Sequence, residues 1–329
     1  MWCPLSKMND FLEKLNKGEI LICDGAMGTM LQKKGLKPGD CPEEWNITHS
    51  KEIIKIHNSY LDVGADIILT NTFGGNSLKL KACGREDKTR EYNLKGVKNA
   101  RDSIEICQVP AQRTTIYILG DIGPTGQIME SAGGTLTFEQ AKEIFKEQIG
   151  ILIEGGVDGI IFETFEDIEE LKAGIAAAKE IGVDFPIIAS MTFHPGARGF
   201  RTIMGVSVED AVKGLVDCNV DIIGTNCGNG PKEVVEIIKE MHKFTDLPLI
   251  SEPNAGVPVL KEGKTVFPMG PEDMAKFIPQ LIESGVNIIG GCCGTTPEHI
   301  KKVVECSDAI HRTRKDGIGK SSPYKKIIL

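Results

Sequence analysis

The chain has 329 residues, a formal net charge of −8 and a pI near 5.4. Apolar residues make up 41% and charged residues 26%, which is typical of a globular protein with one large core. The acidic balance, without a basic stretch interleaved with aromatic residues, argues against a nucleic-acid-binding surface. No secretion signal and no membrane-spanning run are recognisable, and ten cysteines suit a reducing compartment, so we expect a cytoplasmic protein.

Short runs rich in Ile, Val and Leu alternate with amphipathic segments along the whole chain. This alternation is typical of strand–helix units around a parallel sheet that is buried on both faces. Eight strands are predicted, at residues 20–23, 66–70, 115–120, 159–163, 186–191, 221–226, 247–252 and 286–290. Eight helices are predicted after them, at roughly 51–63, 91–107, 137–155, 168–181, 207–217, 231–243, 271–284 and 297–306.

Eight strand–helix units favour the α/β class and a single-domain (β/α)8 TIM barrel over an open doubly wound sheet. We expect a helical lead-in at 1–19, the barrel at 20–306 and a basic tail at 307–329. Small and polar residues follow each strand, and the longer connections lie on the same rim of the predicted barrel. A functional site is therefore expected at the carboxyl ends of the strands.

Two adjacent cysteines, Cys292 and Cys293, stand among glycines directly after the last predicted strand. Neighbouring strand residues point to opposite faces, so both sulfurs can face one ion only where the backbone turns, which glycine permits. Cys227 follows the sixth strand with similar glycines. Three thiolates with an open fourth position would make a catalytic zinc site. The alternative is that these cysteines are small core residues.

The other seven cysteines show no such convergence, and we interpret them as structural: Cys3, Cys23, Cys41, Cys83, Cys107, Cys218 and Cys306. A free thiol with a pKa near 8.5 is only ~3% ionised at pH 7. Full ionisation on a metal would raise the reactive fraction ~30-fold, which is worth about 2 kcal/mol. A substrate thiolate in the fourth position would then be a nucleophile for in-line displacement.

Six motifs together resemble the zinc-dependent homocysteine S-methyltransferase family. They are Asp24-Gly25-Ala26-Met27-Gly28-Thr29, Thr70-Asn71-Thr72-Phe73-Gly74, Asp121-Ile122-Gly123-Pro124-Thr125-Gly126, Asn226-Cys227-Gly228, Glu252-Pro253-Asn254-Ala255-Gly256 and Gly290-Gly291-Cys292-Cys293-Gly294-Thr295-Thr296-Pro297. The resemblance runs from about Leu21 to Val304. It is stronger to the homocysteine-binding barrel of cobalamin-dependent methionine synthase than to the betaine-using or S-methylmethionine-using branches. It implies a zinc barrel that methylates the thiolate of L-homocysteine to give methionine.

The methyl donor is less constrained than the acceptor. The sequence contains no Asp-x-His pair, the corrinoid-ligating signature, so the resemblance implies methylcobalamin or another methylcorrinoid carried by a separate protein. S-methylmethionine or a betaine-like compound is the alternative donor. A non-catalytic thiol- or zinc-binding subunit is the alternative of another class. A related thiol or selenol in place of homocysteine, the fourth zinc ligand and the oligomeric state all stay open.

The resemblance also implies residues for the ends of the substrate. Glu163, at the end of the fourth strand, is expected to pair with the substrate ammonium, with a rim salt bridge as the alternative. Asp24 is the analogous residue after the first strand. The amides of Gly25 and Ala26 could bind the carboxylate as a small anion nest or form a turn cap. Three further strand-end amides could orient the substrate or tie loops together: Asn71, Asn226 and Asn254.

Overall fold

The computed structural model describes residues 4–107, 115–182, 185–261 and 264–315. Eight parallel strands form one sheet: β1 Leu21–Ile22, β2 Ile67–Leu69, β3 Tyr117–Ile122, β4 Gly159–Phe165, β5 Ile187–Met191, β6 Ile222–Asn226, β7 Leu249–Glu252 and β8 Ile288–Ile289. Strand β1 pairs with β8, and Cys23 at its end bridges to Ile67 of β2. The ring of strands is thereby closed, which confirms the TIM barrel and excludes the open sheet.

Thirteen α-helices are found in the described ranges. They are α1 Pro4–Asn16, α2 Gly28–Lys33, α3 Trp45–Thr48, α4 Ser50–Asp62, α5 Ser77–Lys81, α6 Thr89–Ile106, α7 Phe138–Gly155, α8 Ile168–Ile181, α9 Val208–Asp217, α10 Pro231–Met241, α11 Pro271–Ala275, α12 Ile278–Glu283 and α13 Pro297–Lys315. Two short hairpins project from the connections after β5 and β7, at His194–Gly196 with Gly199–Arg201 and at Val259–Lys261 with Lys264–Val266. None of these helices is long and apolar enough to cross a membrane.

Two predicted helices differ from the observed ones by more than two residues or in continuity. The helix predicted at 271–284 is divided into α11 and α12, because Pro279 has no amide hydrogen with which to continue the ladder of α11. Helix α13 continues past its predicted end at Cys306 to Lys315, since Ile310 extends its buried face one turn beyond Val303 and Ser307. Residues 316–329 of the predicted tail, and Cys3, lie outside the described residues.

Helix α1 covers the amino-terminal end of the barrel. Its Phe11 and Leu15 are buried in the same cluster as the inward-facing strand residues, and the Phe11 ring centroid lies 4.8 Å from that of Tyr117 at the start of β3. Each large apolar side chain buried in this way contributes about 2 kcal/mol. With this end filled by apolar side chains, access to the barrel interior is left at the carboxyl ends of the strands.

The barrel interior changes from apolar to polar along each strand. Leu119, Ile161 and Ile250 belong to the inner apolar cluster. Because strand side chains alternate between faces, the residues two positions later also face inward. These residues are Asp121, Glu163 and Glu252. The barrel interior is therefore apolar toward the amino-terminal ends of these strands and polar at their carboxyl ends.

Candidate metal centre and acceptor cavity

Three thiols converge at the carboxyl ends of β6 and β8. The sulfur atoms of Cys227, Cys292 and Cys293 lie within 4.8 Å of one another, and the Cys227 and Cys293 sulfurs are 4.0 Å apart. Tetrahedral zinc with bonds of about 2.3 Å to sulfur would set these sulfur–sulfur distances at about 3.8 Å. The three residues therefore fit zinc. No other group of three or more His, Cys, Asp or Glu in the described ranges is as close.

The end of β7 lies between the two segments that carry the cysteines, which we call the ligand segments, and it binds the backbone of both. The amide of Cys227 donates to the carbonyl oxygen of Glu252 at 3.1 Å, and the amide of Cys292 donates to that of Pro253 at 2.9 Å. Cys227 itself has a left-handed backbone with φ 57°, which turns the chain sharply after β6. At the other segment Gly294 has φ 84°. These turns aim side chains from neighbouring backbone positions at one point.

The three thiols cannot all ionise together unless a cation joins them. Hydrogen bonds from Cys292 and Cys293 lower the pKa of Cys227 to about 3. The hydrogen bond with Cys227 raises the pKa of Cys293 to about 12, and that of Cys292 is also raised well above its usual value. Ionisation of one thiol therefore disfavours ionisation of the other two. A dication such as Zn²⁺ would stabilise all three thiolates, as thiolate-rich zinc sites do.

A cavity of about 360 Å³ opens onto the triad. Its lining is acidic: besides the three cysteines, five carboxyl side chains contribute to it, namely Asp24, Glu43, Asp121, Glu163 and Glu252. No Lys, Arg or His is among the described residues that line it. Such a cavity favours a ligand that brings a positive charge, such as an ammonium group.

Burial raises the pKa of these carboxyl groups. It raises that of Glu163 to about 8, with a further contribution from the negative charge of Cys227. Burial likewise raises the pKa of Asp24, Asp121 and Glu252 well above the usual range, and each is raised further by neighbouring carboxylates. One oxygen of Asp121 and one of Glu252 are buried without a hydrogen-bond partner among the described residues. These two carboxyl oxygens are therefore available to accept a hydrogen bond from a ligand.

Five of the seven predicted substrate residues line this cavity: Asp24, Gly25, Ala26, Asn71 and Glu163. Four of them already have protein partners, and Glu163 Oε2 accepts the Asn226 side-chain amide at 3.1 Å. The Ala26 amide donates to Thr295 Oγ1 at 3.0 Å, and the Asn71 side chain donates to the carbonyl oxygen of Pro42 at 2.8 Å. Asp24 Oδ2 accepts the amide of Leu69 at 3.1 Å, which leaves the carboxyl group facing the cavity.

The other two predicted substrate residues, Asn226 and Asn254, are buried behind the cavity wall and do not line it. Asn226 is bonded to Glu163, Thr164 and Ser190. The backbone amide of Asn254 donates to Asn229, and its side-chain oxygen has no partner in the described part of the chain. Both residues therefore support the site from the second layer.

Sequence reasoning missed three carboxyl groups of the cavity. Asp121 and Glu252 could have been found from strand alternation, since each lies two positions after an inward-facing apolar residue. Glu43 had no such signal because it lies in the long connection after β1. There its carboxylate accepts the Gly74 amide at 2.7 Å. The remaining described cysteines do not join the triad; Cys23 and Cys41 are buried, and Cys83 is exposed.

The fold and site define a (β/α)8 barrel protein with three convergent thiols at its carboxyl rim, a group that could hold a metal ion. Within that class, the model of the homocysteine S-methyltransferase family matches residues 21–307. The chain belongs to this family. The cysteines, the carboxyl-lined cavity and the supporting amides all fall within the matched range.

Several relatives are similar over nearly the whole chain. The methionine synthases of Mycobacterium leprae and Mycobacterium tuberculosis are each 32% identical over 314 residues, covering 91% and 92% of this chain. The chain spans only about a quarter of their length, 25% and 26%. The metallated form of the homocysteine methyltransferase MmuM from Escherichia coli superimposes with a TM-score of 0.72 at 23% identity, covering 92% of this chain and 99% of that one.

Proposed function

We propose that the chain transfers a methyl group to the thiol of L-homocysteine, giving methionine, with zinc held by Cys227, Cys292 and Cys293. The convergence of three thiols on a carboxyl-lined cavity, in a barrel of this family, carries the proposal. The curated relatives named methionine synthase support methionine as the product. We further propose that it works in the cytoplasm, because a reducing compartment keeps the three thiols available for metal.

Zinc, when bound, supplies a dication that favours the ionised form of an acceptor thiol at neutral pH. The chain's own residues hold the rest of the acceptor. Glu163 and Asp24 receive its ammonium, and the amide of Gly25 faces its carboxylate. The acceptor sulfur bonds to the donor's methyl carbon while the bond from that carbon to the donor breaks. The electron pair of the broken bond leaves with the donor, and fixed positions of the two reactants supply much of the rate.

The leading donor is methylcobalamin or another methylcorrinoid on a separate protein. Apolar side chains on the two rim hairpin connections support a macromolecular donor, since Ile203 is 75% and Leu260 79% exposed. Both connections follow strands at the carboxyl end of the barrel, where the cavity opens. Exposed apolar groups on the rim of the barrel that holds the cavity would suit contact with another protein.

A small cationic donor is the second candidate. Five carboxyl groups without a lining cation would attract a sulfonium or ammonium compound, as S-methylmethionine or betaine is. The carboxyl-rich lining therefore favours a small cationic donor, whereas the exposed apolar residues of the rim connections favour a donor carried on a protein.

The test is turnover of zinc-loaded protein with L-homocysteine and one donor at a time: free methylcobalamin, S-methylmethionine or betaine. We expect methionine from methylcobalamin. If only S-methylmethionine gives methionine, the methylcorrinoid hypothesis is wrong and the small cationic donor is the methyl source. No methionine from any of the three, no co-purifying corrinoid protein, and a homocysteine-dependent change in the spectrum of the Co²⁺-substituted protein would together indicate the non-catalytic thiol-binding subunit instead.

A further inference from the structure

The side chain of Asn226 connects three strands with one of the ligand segments. Its Oδ1 accepts the Thr164 amide and the Ser190 hydroxyl, each at 2.8 Å. Its Nδ2 lies 2.7 Å from Thr164 Oγ1, 3.1 Å from Glu163 Oε2 and 3.9 Å from the sulfur of Cys292. Asn226 is fully buried, so each of these contacts is shielded from water.

Asn226 also stands between two strained backbone positions. In the described ranges three non-glycine residues have positive φ, and two of them are Thr164 at 62° and Cys227 at 57°; the third is Asn219. A β-branched residue such as threonine is a genuine outlier in this region. Such strain persists only where the surroundings over-determine it, and it clusters at functional sites.

Both ends of the Asn226 amide hold Thr164 in this conformation. Oδ1 binds the Thr164 backbone amide, and Nδ2 binds its hydroxyl. At the same place the pairing between β4 and β5 shifts register, between Phe162 and Phe165. The turn lets both Glu163 and Thr164 face the cavity, although they are adjacent in a strand.

The two N–H bonds of an asparagine amide cannot serve three acceptors equally. Thr164 Oγ1, Glu163 Oε2 and the Cys292 sulfur all lie within reach of Asn226 Nδ2. One amide group therefore contacts both the Glu163 carboxyl and the Cys292 sulfur.

We propose that Asn226 is a positioning residue that holds the strained turn at Thr164. In this role it keeps the Glu163 carboxyl and the Cys292 sulfur facing the same cavity. The proposal deepens the proposed function and rests on it for the identity of the acceptor, L-homocysteine. The part of the proposal that concerns Cys292 and metal binding does not depend on methyl transfer.

The experiment compares metal and acceptor binding in two Asn226 variants, in a double variant that adds Thr164→Gly, and in a control variant, all in the full chain. Asn226→Asp keeps the acceptor oxygen for Thr164 but lacks the N–H donors. Asn226→Ala removes both, and Thr164→Gly relieves the strained turn. Co²⁺ affinity and the sulfur-to-cobalt absorption band report on the triad. Calorimetric titration with L-homocysteine reports on the acceptor site.

We expect Asn226→Asp and Asn226→Ala each to weaken Co²⁺ and L-homocysteine binding ~10-fold or more and to shift the absorption band, as loss of an outer-shell partner does. The double variant Asn226→Ala with Thr164→Gly should recover most of the lost acceptor binding, because glycine adopts the turn unaided. Asn219→Gly is the matched control: it relieves the same kind of strain far from the cavity and should change neither affinity.

Two results would overturn the proposal. One is wild-type Co²⁺ and L-homocysteine affinity in Asn226→Asp, which keeps the shape of the side chain and so tests the role even where Asn226→Ala does not fold. The other is a double variant as impaired as Asn226→Ala alone. Failure of the proposed function looks different, since the wild type would then bind Co²⁺ normally and form no methionine from any donor.

Discussion

Cys227 and Cys293 hold their sulfur atoms 4.0 Å apart, although 66 residues separate them along the chain. The separation in space is short because β6 and β8 flank β7, and the end of β7 binds the backbone of both ligand segments. The three-thiol site is thus assembled by the barrel itself. Its geometry depends on the closure of the sheet and on the two turns after β6 and β8.

Cys292→Ser should abolish tight zinc binding and lower methyl transfer by at least ~100-fold. Outer-shell changes alone typically cost 10–100-fold, and a lost ligand costs more. Elemental analysis after dialysis and initial rates with L-homocysteine measure the two effects. Cys83→Ser is the control, because Cys83 is exposed and outside the triad. Full metal content in Cys292→Ser would contradict the assigned ligand set.

Glu163→Gln should raise KM for L-homocysteine ~30-fold, with a smaller effect on zinc content. A hydrogen bond to a charged group contributes about 2 kcal/mol, and the substituted amide keeps the shape but loses the charge. Steady-state kinetics over a range of L-homocysteine concentrations provide the measurement. Glu169→Gln removes a carboxylate from the surface of α8 and should leave KM unchanged. Equal KM values in the two variants would show that Glu163 does not bind the substrate ammonium.

Thr295→Val should loosen the ligand segment against the loop after β1. Thr295 Oγ1 accepts the Ala26 amide and donates to the carbonyl oxygen of Cys292 at 2.7 Å, and both bonds are lost in the variant. An unsatisfied buried amide costs about 1–3 kcal/mol, so the free energy of unfolding should fall by that amount. Denaturant titration measures it. Thr296→Val, one position further and partly exposed, should cost less; a larger loss in Thr296→Val would refute this role.

His57→Leu should remove an acid-sensitive element from α4. His57 is fully buried, neither ring nitrogen has a partner in the described residues, and burial lowers its pKa from 6.5 to about 4. The unfolded chain binds a proton here below about pH 6.5, whereas the folded state resists until about pH 4. The stability contribution is therefore complete above pH 6.5 and lost as the pH falls toward 4, up to about 3 kcal/mol.

The measurement is the difference in the free energy of unfolding between wild type and His57→Leu at several pH values. This difference should shift in favour of the variant as the pH falls from 7 to 4. Taking the difference cancels the carboxyl groups that titrate in the same window. The exposed His311, replaced by leucine in the same way, is the control. A pH-independent difference for His57→Leu would show that the ring has a partner or access to water.

The sequence by itself determined the barrel, and it predicted the three cysteines that the structure brings together. All eight predicted strands overlap observed ones. Apolar runs of strand length between amphipathic helices pack as a parallel sheet that the helices cover. Cys227, Cys292 and Cys293 could be assigned because each follows a strand directly, and the carboxyl ends of parallel strands meet on one rim. Asp121 and Glu252 also follow from strand alternation, although they were not predicted as site residues.

The tertiary structure alone decided which loop and distant residues complete and support the cavity. Glu43 reaches it from a long loop, and Asn226 lies behind the wall where it binds Glu163, 63 residues away. Helix α13 extends past its predicted end because Ile310 finds a buried contact. These features depend on loop conformation and on hydrogen bonds between distant segments. A sequence pattern encodes which face a side chain takes, and only the folded chain determines which side chains share a cavity.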